Sequence, residues 1–146
     1  MSDSEIKRER LLHLVVPARA EYLSMVRIMV AAIANDSGFT EENIADIKVA
    51  LSEASTNVVR HAYPDGFEAR RKVIEINCYG DLGQLTIEVT DHGSGMPLPP
   101  PASEGLGLGI MGSLMDQVDV ETGSSGTSVL LVKEPSPDRY SHQPDR

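Results

Sequence analysis

Residues 11–17 read LLHLVVP, a short apolar run closed by proline, which predicts a strand. From about residue 19 to residue 35 the step changes. Leu23, Val26, Met29, Val30 and Ile33 recur at helical spacing, with Arg19, Glu21 and Arg27 elsewhere, so an amphipathic helix is expected. Asp36-Ser37-Gly38 ends it. Thr40 followed by Glu41 and Glu42 is a capping hydroxyl with first-turn acids, which the helix dipole favours. The second helix then runs to about His61 along the stripe Ile44, Ile47, Leu51, Ala54 and Val58. Tyr63-Pro64-Asp65-Gly66 is turn chemistry, and residues 68–72 read as an exposed loop.

Past residue 72 the period becomes two. Ile74, Ile76 and Cys78 share one strand face, and Leu85, Ile87 and Val89 share the next, with Gly80-Asp81-Leu82-Gly83 as the hairpin turn. By that alternation Asp91 falls on the apolar side, where a carboxylate is costly unless something polar covers it. Residues 96–103 contain four prolines and predict a loop or lid. Residues 107–116 predict a third helix, and residues 118–122 and 127–132 a second hairpin over Gly123-Ser124-Ser125-Gly126. The order β-α-α-β-β-(loop)-α-β-β, with tight turns joining consecutive strands, predicts an α+β two-layer sandwich. Its sheet is mixed and mostly antiparallel, with helices on one face. Residues 1–10 read as a flexible leader, 11–133 as one domain and 134–146 as a polar, disordered tail.

Composition narrows the function classes. The 146 residues suffice for one core without disulfides, and a single cysteine, Cys78, agrees with a cytoplasmic protein. No secretory leader is visible, and no apolar run reaches the roughly 18 residues of a membrane span. Net charge is −9, and Lys72 and Lys133 bracket 60 residues holding eight acids and no Lys or Arg. Such a surface repels nucleic-acid phosphates.

Three stretches carry candidate chemistry. Glu53 and Asn57 stand four residues apart on one helix face, with His61 a further turn on. Taken alone this is a solvated polar stripe. Flanked by Leu51, Ala54 and Val58, it sits at the margin of the packed face, where a carboxylate can act as a base and an amide oxygen can ligate Mg²⁺ beside phosphate oxygens. Asp91-His92-Gly93-Ser94-Gly95 is a tight turn whose inward aspartate could accept a hydrogen bond from an amine such as adenine N6. Gly105, Gly107, Gly109 and Gly112, followed by an apolar helix, offer backbone N–H groups to phosphates. Thr127, after Gly126, has the same strand parity as Val129 and Leu131.

Other chemistries fit poorly. Residues 107–112 match G-x-G-x-x-G, but no strand precedes them and no βαβ unit surrounds them. The P-loop, the protein-kinase H-R-D and D-F-G signatures and the G-x-S-x-G elbow are missing. His13, His61, His92 and His142 lack zinc spacing, and Met25, Met29, Met111 and Met115 read as core fillers.

Together these boxes resemble the GHKL (Bergerat-fold) ATPase and kinase superfamily, and within it the anti-sigma factor serine/threonine kinases of the RsbW/SpoIIAB type. The resemblance spans roughly residues 11–133. It rests on Glu53, Asn57 and His61-Ala62-Tyr63; on Asp91, Gly93 and Gly95; on Gly105 and Gly107 with Ile110-Met111 and Met115-Asp116; and on Gly126-Thr127. It implies ATP and Mg²⁺ as cofactors, with Glu53 as general base, Asn57 on the metal and Asp91 on adenine. The run Gly105, Leu106, Gly107, Leu108 and Gly109 would wrap the phosphates, with Arg60, His61, Gly93, Gly95, Met96 and Thr127 completing the pocket. The acceptor it implies is a serine on a STAS-type anti-anti-sigma protein, and the further partners are a sigma factor and a second copy of the chain. Arg27 matches a partner-surface position. One departure stands out: residues 99–104 (PPPASE) carry no cation where the family has a basic residue facing the γ-phosphate. The alternative is therefore a nucleotide-binding anti-sigma adaptor that transfers nothing.

Overall fold

The computed structural model describes residues 8–95 and 102–136, with side chains in 102–106 left aside. The elements run β1 (Glu9–Pro17), a 3₁₀ turn (Ala20–Tyr22), α1 (Leu23–Asp36), α2 (Glu41–Asn57), a π-helical turn (Val58–Ala62) and a 3₁₀ turn (Ala69–Arg71). They continue with β2 (Val73–Asp81), β3 (Gln84–Asp91), α3 (Ala102–Leu114), β4 (Gln117–Gly123) and β5 (Gly126–Lys133). β1 thus begins two residues before the expected strand, and Arg8 stacks over the Tyr79 ring at 3.8 Å.

The local signals act as their chemistry dictates. Gly38 ends α1 at φ +89°, and the Phe39 amide reaches back to the Ala34 carbonyl. Thr40 caps α2, its hydroxyl accepting from the Asn43 amide at 3.1 Å. The first hairpin turns on Leu82 and Gly83, both at positive φ.

The sheet order is β1-β2-β3-β5-β4, and all four pairings are antiparallel, where the sequence allowed a mixed sheet. β5 lies inside because its run Val129-Leu130-Leu131-Val132 tolerates cover on both faces. β4 alternates Gln117, Asp119 and Glu121 with apolar residues and takes the edge. One face packs Ile74, Ile76, Cys78, Leu85, Ile87, Val89 and Leu131 against Val26 and Val30 of α1, Ile47, Leu51 and Ala54 of α2 and Met111 of α3. The opposite face is polar, with Glu75, Asn77, Glu88 and Thr90 among its side chains.

Lys133, nearly buried, fastens the far end: its ammonium reaches Asp46 of α2 at 3.4 Å and donates to the Leu114 carbonyl that closes α3. Ser136 bonds Asn43 through side chain and backbone, so the first residues of the expected tail are tied to α2. Among the described residues no helix is long and apolar enough to cross a membrane.

Candidate functional site

The elements converge on a pocket between α2, the π-turn, the ends of β3 and β5, and α3. It encloses about 550 Å³ of non-atom space, part of it open to solvent. Ala54, Val58, Ala62, Val89, Leu108 and Val129 make apolar walls, and Asn57, His61, Asp91, Gly95 and Thr127 add polar groups.

Asp91 forms the polar floor. It is only 5% exposed and pairs in register with Ile74 on the core side of the sheet. Its Oδ1 accepts from the amides of Gly93 at 2.9 Å and Thr127 at 3.3 Å. Burial pushes this carboxyl above the ordinary aspartate range, and the two backbone donors offset part of that rise. Thr127 joins Thr122 hydroxyl to hydroxyl at 2.8 Å, linking β5 to β4 beneath the pocket.

The Asp-x-Gly-x-Gly turn needs its glycines for two different reasons. A Cβ on Gly93 would stand 1.9 Å from the Ala62 carbonyl oxygen. Gly95 sits at φ +86°, and a Cβ there would meet the Gly123 carbonyl at 2.2 Å. The turn is therefore pressed between the π-turn and the second hairpin, with the Ser94 amide donating to Ala62 at 3.2 Å. Tyr63 anchors the same corner: its hydroxyl donates to the Val73 carbonyl and accepts from the amides of Val73 and His92 at 3.2 and 3.0 Å.

Glu53 and Asn57 lie half-buried on α2 and meet at α3. A Cβ on Gly107 would be 3.3 Å from Glu53 Oε2 and 3.6 Å from Asn57 Nδ2, so the glycine lets α3 close over both side chains. Leu108 follows it into the pocket, whereas a Cβ on Gly109 would meet nothing within 4 Å.

Several sequence expectations need revision here. Gly105, Leu106, Gly107, Leu108 and Gly109 form no open loop; they lie inside α3, which starts at Ala102 and not at residue 107. Packing of Met111 and Leu108 offsets the weak helix propensity of the glycines. Amides beyond the first four residues of a helix are engaged within it, so the Gly107 and Gly109 amides are not offered to an anion in this state. His61 reaches the pocket rim, but through the π-turn instead of the α-helical row expected from Glu53 and Asn57. Arg60 is exposed and forms no part of the wall. Met96 lies outside the described residues. The sequence did not single out Tyr63's anchoring role, the Ala62 carbonyl or Thr122; only the pattern of inward residues Val89 and Val129 was available to foretell the apolar wall.

Residues 16–133 match the family model of the histidine kinase-like ATPase domain. The chain belongs to that family. Within it, the chain groups with the RsbW serine-protein kinases. Those of Bacillus cereus, Bacillus anthracis and Bacillus thuringiensis are each 31% identical, over 88% of this chain and 87% of theirs. Among solved structures, the RsbU and RsbW domains of a Mycobacterium tuberculosis protein superpose with a TM-score of 0.68 at 24% identity. That match covers 84% of this chain and 32% of the longer one. A blue-light activated histidine kinase of Erythrobacter litoralis gives 0.60 at 22% identity, over 85% of this chain and 43% of its own. The last two likenesses are of fold, and they agree with the α+β sandwich of this histidine kinase-like ATPase domain.

Proposed function

We propose that this protein is an ATP-dependent serine kinase whose acceptor is a serine of a small STAS-type anti-anti-sigma protein, and that it also sequesters a sigma factor. One observation carries the reading: Asn57 lines a pocket whose floor is the buried carboxyl of Asp91, and Glu53 stands beside Asn57 against Gly107. Asp91 Oδ1 is taken by two backbone donors, which leaves its second oxygen to accept from an exocyclic amine on a purine. The apolar walls suit the ring faces.

Asn57 supplies a neutral oxygen, a donor type Mg²⁺ accepts alongside phosphate oxygens and water. When bound, Mg²⁺ would neutralise phosphate charge. Glu53 takes the proton of the acceptor serine as its oxygen bonds to the γ-phosphorus, while the bond to the bridging oxygen breaks and ADP leaves. A positioned base of this kind contributes about 10²–10⁴-fold.

Partner binding falls to α1, where Met25 and Met29, expected as core fillers, are instead 41% and 39% exposed, alongside Ile28 at 67% and Arg27. A second copy of the chain is a further candidate for that face. The adaptor reading keeps one supporting observation: exposed Arg60 does not line the pocket, and residues 99–104 hold no cation.

Incubation with γ-labelled ATP, Mg²⁺ and a STAS-type partner separates the two. Label on a partner serine, lost in Glu53→Gln, supports the kinase; nucleotide binding without label at any enzyme concentration leaves only the adaptor.

A further inference from the structure

The π-turn has two sides. Val58 and Ala62 face the nucleotide pocket, and Val59 and Tyr63 line a separate groove along the end of β1. Val15, 51% exposed, borders that groove from the outer face of the sheet, opposite Glu75 in register, and Arg19, Arg70 and Lys72 stand around it. In a chain of net charge −9, with no Lys or Arg from residue 73 to 132, this rim gathers three cations around one groove.

Little holds these cations to the chain itself. Arg19 pairs with Glu21 at 2.9 Å and Arg70 with Glu68 at 2.5 Å, all four groups well exposed, so solvent and competing carboxylates reach them. Lys72 makes no ion pair among the described residues, and Arg71 beside it is exposed over the Phe67 ring. An apolar trough rimmed by accessible cations is complementary to a peptide that alternates carboxylates with apolar side chains.

We infer that this groove docks an acidic, partly apolar segment of a partner protein. The apolar residues of the segment seat on Val15, Val59 and Tyr63, and its carboxylates pair with Lys72, Arg70 and Arg19. A nucleic acid fits less well: its phosphates find the rim but nothing for the floor, and the rest of the surface repels them. The inference does not depend on phosphoryl transfer.

The test uses the ¹⁵N-labelled full chain and three probes: a short peptide alternating Glu with Leu and Val, the same peptide with Lys for Glu, and a single-stranded oligonucleotide. The Glu peptide is expected to shift amide resonances within residues 15–19, 59–63 and 69–73, with affinity falling as salt rises. Arg70→Glu combined with Lys72→Glu should weaken it by at least about tenfold, while Lys48→Glu, an exposed cation on α2, binds as the parent does. Unchanged resonances elsewhere establish that the variants fold. The inference is overturned if millimolar Glu peptide shifts nothing in those segments, if the double variant binds equally well, or if the oligonucleotide binds the same residues more tightly.

Discussion

Asp91 ends β3 on the face otherwise occupied by Leu85, Ile87 and Val89, and alternation alone foretold it. Why it tolerates burial was not legible, since the covering amides come from Gly93 and from Thr127, 36 residues away. Its raised pKa has a definite sign. A carboxyl that holds its proton more tightly when folded makes the fold relatively more stable on acidification, and its ionisation costs stability as pH rises through that range. Asp91→Asn removes the buried charge and keeps one acceptor. Thermal melting is expected to show the unliganded variant at least as stable as the parent. Calorimetry should show ATP affinity reduced by about ten- to a hundredfold, the loss of one hydrogen bond to a charged group. In the parent, nucleotide affinity should decline on acidification already above the ordinary aspartate pKa. Leu82 makes a second residue-scale case. It turns the first hairpin at φ +54°, where a branched side chain is strained and Asn is favoured. Because Leu82 is 83% exposed, Leu82→Asn should raise stability by about 0.5–1 kcal/mol in denaturant unfolding, reflecting relief of left-handed strain alone.

At the scale of elements, α1, α2 and both hairpins follow from spacing, caps and turn residues, because those signals are local. α3 does not. Four glycines and the proline-rich stretch before it argue for loop, and only the packing of Met111 and Leu108 against α2 favours coiling. The balance is narrow, since each glycine weakens a helix by about 1 kcal/mol relative to alanine. Gly109 lies on the open side, so Gly109→Ala meets no clash. It is expected to raise the melting temperature and, by holding α3 coiled with its amides engaged, to weaken ATP binding. Unchanged or tighter binding would mean that nucleotide is held by the coiled form. The π-turn left no trace in the sequence either. Helical spacing carried the row from Glu53 through Asn57 to His61, and the wider turn re-aims His61 at the pocket rim.

For the whole molecule, the sequence foretold two hairpins but not that β5 would join β3. That pairing brings Thr127 opposite Asp91 and so completes the pocket floor. The cue lay in burial: the uninterrupted apolar run of β5 suits an interior strand, and the acids of β4 suit an edge. Convergence of α2, the Asp91 turn and α3 around one nucleotide is the claim on which the rest depends. A crystal structure with a non-hydrolysable ATP analogue and Mg²⁺ tests it most directly. The purine amine is expected on Asp91, the metal beside Asn57 and the γ-phosphate within reach of Glu53. A nucleotide bound on another face, or Asp91 still buried with no base against it, would contradict that convergence.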